Sequence, residues 1–145
     1  MAKTWKKYEV LVLIDADLSL ETIEGMIERF REVIRGNQGR VLKTERWGVR
    51  NMAFAIKRKQ KSYYVLLEFA GEGPVSTALA HQLNLLDTVV KFQIVRVAEG
   101  LEPSELPEVE EIIDQPIKSL EEPRSFAASM EEEEEEEGDD DEDMG

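Results

Sequence analysis

Apolar residues follow two different periods along this chain, and the switches between them predict its elements. From Tyr8 to Ile14 the segment YEVLVLI is rich in β-branched residues and apolar on both faces, as in a strand inside a sheet. Leu20, Ile23, Met26, Ile27, Phe30, Val33 and Ile34 then recur three and four residues apart, which puts them on one stripe of a helix. The ends agree: Asp17 or Ser19 can cap the start, Glu21 and Glu24 sit near the positive end of the dipole, and Arg31 and Arg35 precede Gly36 at the stop.

After Asn37-Gln38-Gly39 the period returns to two. Arg40–Trp47 reads as extended, and Met52, Phe54 and Ile56 alternate with Asn51, Ala53 and Ala55, so Gly48 predicts a bulge within one long strand. The turn Lys57-Arg58-Lys59-Gln60-Lys61 leads into SYYVLLEF at 62–69, a third strand that forms a hairpin with the second. Gly73-Pro74 opens a second helix, with proline at a first-turn position where its missing N–H costs nothing. Val75, Leu79, Leu83 and Leu86 form its stripe, and Asn84 to Asp87 ends it. Thr88–Val97 closes the pattern as a fourth strand, Val90, Phe92 and Ile94 alternating with Lys91, Gln93 and Val95. The order β-α-β-β-α-β predicts an α+β, ferredoxin-like fold: a four-stranded antiparallel sheet with two helices on one face and the other face open to partners.

Composition divides the chain at residue 100. Its 145 residues leave room for one domain, and prolines at 103, 107, 116 and 123 punctuate an acidic remainder in which 131–143 are nearly all Glu or Asp. Such a segment cannot bury a core, so the expectation is a folded domain over 1–100 and a disordered acidic tail over 101–145. Within that tail, Val109, Ile112 and Ile113 have the spacing of a short helix at Glu108–Ile113 that could dock on a partner. The net charge of −14 therefore hides two opposite halves: sixteen Lys or Arg against twelve Asp or Glu in 1–100, and two against twenty in the rest.

Several kinds of chemistry are excluded or left without support. No cysteine is present, so there is no disulfide, thiolate ligand or thiol nucleophile. The longest apolar stretch, Val10–Ile14, is far short of the roughly 20 residues that span a bilayer, and a cytoplasmic protein with no membrane contact is expected. His81, the only histidine, lies on the second helix and reads as a surface residue rather than a base. Asp15 and Asp17 have no phosphate-binding glycine loop beside them, so loop solvation and capping explain both, and no metal or other cofactor is expected.

The strongest signal lies between Arg40 and Lys61. There Arg40, Lys43, Arg46, Arg50, Lys57, Arg58, Lys59 and Lys61 stand against one acid, Glu45, with Trp47, Phe54, Tyr63 and Tyr64 interleaved. A field of that density attracts polyanions, because phosphate neutralisation releases counterions. Lysines on a strand edge that only block sheet-to-sheet association are the bland alternative. The third strand lacks the basic-Gly-aromatic-Gly-Phe pattern that stacks single-stranded bases, so folded RNA bound through backbone and shape fits better. Two other functions on this topology find less support. A ligand-binding regulatory domain would need a glycine-rich loop, and an acyl-phosphate hydrolase would need an arginine and an asparagine where DADLS stands at 15–19.

Three stretches carry a family resemblance: Tyr8-Glu9 with Gly25-Met26-Ile27-Glu28-Arg29; Trp47-Gly48-x-Arg50-x-x-Ala53-Phe54-x-Ile56-x-Arg58 with Tyr64; and Asp87-x-Val89-Val90-Lys91 leading to Arg96. Together they span roughly residues 5–98, and the chain resembles the family of the sixth protein of the bacterial small (30S) ribosomal subunit. It departs from that pattern at Ala55, where proline is common, and at Arg58, where lysine is usual. The resemblance implies a non-catalytic structural protein of the 30S platform. It would bind central-domain 16S ribosomal RNA together with a partner, the eighteenth small-subunit ribosomal protein, as a heterodimer. Carried over by position, Arg46, Arg50, Lys57, Arg58, Lys91 and Arg96 are the expected contacts to RNA phosphates. Trp47, Met52, Phe54 and Ile56 are expected in partner packing or in the core.

Overall fold

Both periods become elements where expected. The computed structural model describes residues 4–56 and 59–114, and the side chains of these except at 53–56 and 59. In chain order they form β1 (Trp5–Asp15), α1 (Leu20–Gly36), β2 (Arg40–Ile56), β3 (Lys59–Gly71), α2 (Gly73–Asn84), β4 (Val89–Leu101), a 3-10 turn (Pro103–Glu105) and β5 (Glu111–Ile113). The sheet order is β4-β1-β3-β2-β5, antiparallel throughout except for the parallel β2–β5 pair.

Local chemistry explains the helix ends. Ser19, not Asp17, caps α1, its hydroxyl accepting from the Thr22 N–H at 3.1 Å, while Asp15 accepts from the Asp17 N–H within the preceding turn. At the other end Gln38 takes the left-handed conformation that terminates a helix, and the Gly39 N–H returns to the Ile34 carbonyl at 2.8 Å. Gly39 suits the close approach there: an added Cβ would lie 3.0 Å from the Ala70 carbonyl oxygen and from Ile34, a tight fit.

The helices cover one sheet face. Ile23, Ile27, Phe30 and Ile34 of α1 and Val75, Leu79 and Leu83 of α2 meet Tyr8, Val10, Val12, Ile14, Val65, Leu67 and Phe69 in the main core. Each large apolar side chain buried there contributes about 1.5–3 kcal/mol against its exposed state. Leu20 departs from the expected stripe: it stays exposed in the first turn, beside its cap.

The opposite face is not bare. Alternation sends Leu11 and Leu13 of β1 and Tyr64 and Leu66 of β3 to that side, where they join Trp47 and Val90 in a second, smaller core with Met52 and Val95 packed against it. Val90 departs from the expected alternation because β4 bulges between its pairings Val89↔Ile14 and Lys91↔Leu13. Phe92 and Ile94 therefore pack on the helix side and Val90 on the other.

Two expectations about the chain past residue 100 change. The sheet gains a fifth strand beyond the four expected, contributed from within 101–114. Around Glu108–Ile113 the chain is extended, not helical. The extended form pairs with the β2 edge at Lys43↔Glu111, Thr44↔Ile112 and Glu45↔Ile113, while Val109 stays exposed. Residues 115–145, with the acidic run at 131–143, lie outside the described residues.

Candidate nucleic-acid interface

The basic segment is built on one long hairpin. β2 and β3 pair from Arg40↔Ala70 to Ile56↔Lys59, whereas β1 pairs β3 only as far as Asp15↔Ser62. Beyond Ser62 the hairpin is a two-stranded ribbon that runs past the rest of the sheet, and the sequence places Lys57, Arg58, Lys59 and Lys61 at its tip. Lys61 is exposed; Lys57 and Arg58 lie outside the described residues, as do the side chains of Phe54 and Ile56.

A bulge decides where the β2 side chains point. Trp47 and Gly48 together stand opposite Tyr64, with Gly48 at φ 83°, a left-handed conformation that favours glycine. The extra residue shifts the parity of the strand. Lys43, Glu45 and Trp47 point away from the helices, and after the bulge Arg50 does so too, while Val49 pairs with Tyr63 on the helix side. The four polar-face side chains form a ladder. The Lys43 ammonium lies 3.6 Å from Glu45, the Trp47 indole N–H donates to Glu45 at 2.9 Å, and the Arg50 guanidinium sits 4.8 Å above the Trp47 ring. Trp47 stacks on Tyr64 with centroids 6.0 Å apart. Trp47 is buried in the small core, and Met52 packs beside it, its sulfur accepting from the Ser62 hydroxyl at 3.3 Å.

The other expected contacts are dispersed. Lys91 lies on the same face as Arg50, opposite Leu13, and is buried. Arg96 pairs with Tyr8 near the far edge of the sheet, is exposed, and approaches Glu99 at 3.8 Å. Arg46 is on the helix side, where its guanidinium bonds the Glu24 carboxylate through two nitrogens at 2.7 and 2.9 Å and Asp114 at 3.0 Å. Burial works against its charge, and the two carboxylates more than offset this, so its pKa lies above the ordinary arginine value. Arg46 and Arg50, four residues apart, thus belong to different faces.

A cluster that the sequence pattern does not reveal lies along the β2 edge. Arg31 and Arg35 of α1 both reach the Glu110 carboxylate, at 2.6 and 3.4 Å, and the Thr44 hydroxyl donates to the other Glu110 oxygen. Arg40 donates to the carbonyl oxygens of Pro103, Leu106 and Pro107 at 2.9–3.4 Å and lies over the Trp5 ring. The sequence pattern gives these contacts no signal, since Arg31 and Arg35 read as cations at the end of α1 and Arg40 as part of the basic segment. Among the described residues no helix is long and apolar enough to cross a membrane.

Known proteins share this architecture. The family model described as Ribosomal protein S6 matches residues 7–96. The small ribosomal subunit protein bS6 of Thermoanaerobacter pseudethanolicus is 35% identical over 94 residues, covering 65% of this chain and 99% of that protein. The bS6 protein of Moorella thermoacetica is 33% identical over 94 residues, covering 65% and 96%. The crystal structure of 30S ribosomal protein S6 from Thermotoga maritima superposes with a TM-score of 0.62 at 24% identity, over 64% of this chain and 88% of that one, a likeness of fold. The match spans both helices and reaches from β1 into β4, including the basic hairpin, and the chain belongs to the ribosomal protein S6 family, structural proteins of the small ribosomal subunit.

Proposed function

We propose that this chain binds 16S ribosomal RNA of the central domain through its basic hairpin, without catalysis, alongside the eighteenth small-subunit protein as heterodimer partner. The observation that carries the reading is the two-stranded ribbon running past the body of the sheet, with exposed Lys61 and, at its base, Arg50 above Trp47; in the sequence Lys57, Arg58 and Lys59 add charge to the same hairpin. A ribbon of this kind can lie along a groove and contact phosphates while the body stays outside, so recognition rests on shape and backbone. Arg50 and Lys91 sit on the face that faces away from the helices, where the small Trp47–Tyr64 core gives a protein partner a rigid floor. Arg96 lies on β4, at the edge of the sheet opposite the β2 side, apart from the hairpin.

The test is titration of a central-domain RNA fragment with the chain, with and without the partner protein, across salt concentrations. Replacing Lys57, Arg58, Lys59 and Lys61 with glutamine should flatten the log-affinity against log-salt slope by about 0.7–0.9 for each phosphate that is no longer neutralised. An unchanged slope would sink the hairpin assignment. In cells the chain should sediment with 30S particles; a signal only at the top of the gradient would remove the ribosomal role.

A further inference from the structure

The arginines along the β2 edge hold an internal occupant. Glu110 is largely buried, 12% exposed, between Arg31, Arg35 and Thr44, and Asp114 shares Arg46 with Glu24. Both acids come from the segment that leaves β4 at one edge of the sheet, passes its end under Arg40, and reaches the opposite edge as β5. Little apolar contact holds β5 down: it is three residues long, and Val109 and Ile112 are 82% and 46% exposed. Its grip is mostly charge and hydrogen bonds, which a polyanion can match. Arginine takes carboxylate and phosphate oxygens in the same planar, two-pronged geometry.

We propose that Arg31, Arg35 and Arg46 form a second RNA-phosphate site on the β2 edge, occupied in the absence of RNA by the chain's own Glu110 and Asp114. The segment 108–114 acts as a strap: it fills the site with carboxylates, and a phosphodiester backbone that meets the site displaces it. The inference rests on the RNA-binding reading above and adds a location and a regulator to it. It also accounts for Arg46, which lies on the opposite face from Arg50 and outside the hairpin surface. With the strap in place, RNA must displace two further carboxylates instead of releasing free counterions, so binding is weaker and less salt-dependent than with the strap removed, when only Glu24 and Glu28 of α1 still pair with the arginines.

The experiment compares three full-length proteins binding the same RNA fragment: the parent, Glu110→Gln with Asp114→Asn, and Glu108→Gln with Glu111→Gln. The last pair removes the same charge from exposed carboxylates outside the arginine contacts. The strap variant should bind about tenfold more tightly at 50 mM salt, with a slope steeper by about 2, and the control pair should change affinity less than about twofold. Equal gains in both variants would reduce the effect to net charge and overturn the strap while leaving RNA binding intact. If no protein binds the RNA, the RNA reading falls and the second site falls with it. Hydrogen exchange on the parent needs no variant: RNA should speed exchange at the amides of Glu111–Ile113, and unchanged protection in the RNA complex would overturn displacement.

Discussion

Arg46 and Arg50 carry the same charge four residues apart on one strand, yet one is enclosed by carboxylates beside α1 and the other lies over an indole. Their difference is set by neighbours that sequence spacing does not show. The same holds for Glu9, which faces Glu68 across β1 and β3. Burial first, then the Glu68 charge, raise the Glu9 pKa, with Lys43 and Lys7 offsetting part of the shift. A carboxyl raised in the folded state gives stability that is full below its unfolded pKa and is lost as pH rises through the folded value. Glu9→Gln, which never ionises, should therefore be more stable than the parent at neutral pH, within about 1 kcal/mol because solvent screens the pair. The gap should close as pH falls below the raised value, as urea melts at several pH values would show. A constant gap would assign the effect to packing.

At the level of elements, both helices and the four antiparallel strands were legible, because each carries its own period and its own punctuation: Ser19, Gly36, Gly48, Gly73-Pro74. Facing within a strand was less legible. The bulges at Gly48 in β2 and Val90 in β4 reverse parity; the glycine signals the first, and only partner register reveals the second. Gly48 gives the direct test. Its left-handed φ costs a side chain about 1–2 kcal/mol, so Gly48→Ala should lower stability by about that much in chemical denaturation. If relief comes by losing the bulge, Arg50 turns to the helix side and Trp47 loses its cation, a change visible in indole fluorescence. β5 was not legible at all. Three residues carry no period, and what holds them, Arg40 and the Glu110 contacts, is contributed by residues about seventy positions earlier in the chain.

Across the whole molecule, a cationic body and an anionic remainder share one chain. Ending the chain after Asp114 removes the acidic run while keeping β5, and should raise affinity for non-specific RNA several-fold at low salt, fading as salt screens the charge. Unchanged binding of non-specific RNA at low salt would show that the acidic run does not compete for the hairpin. Sheet order adds a consequence for assembly. Only β2 and β3 are neighbours both in sequence and in the sheet; β1 sits between β3 and β4, which lie far along the chain, so folding is dominated by distant closures and is expected in roughly milliseconds to seconds. β5 can dock only after β2 offers its edge and β4 has carried the chain to Leu101. Until β5 docks, Arg31, Arg35 and Arg46 lack Glu110 and Asp114 and keep only Glu24 and Glu28 of α1 as partners, so a chain that meets RNA while still folding presents them with fewer competing carboxylates.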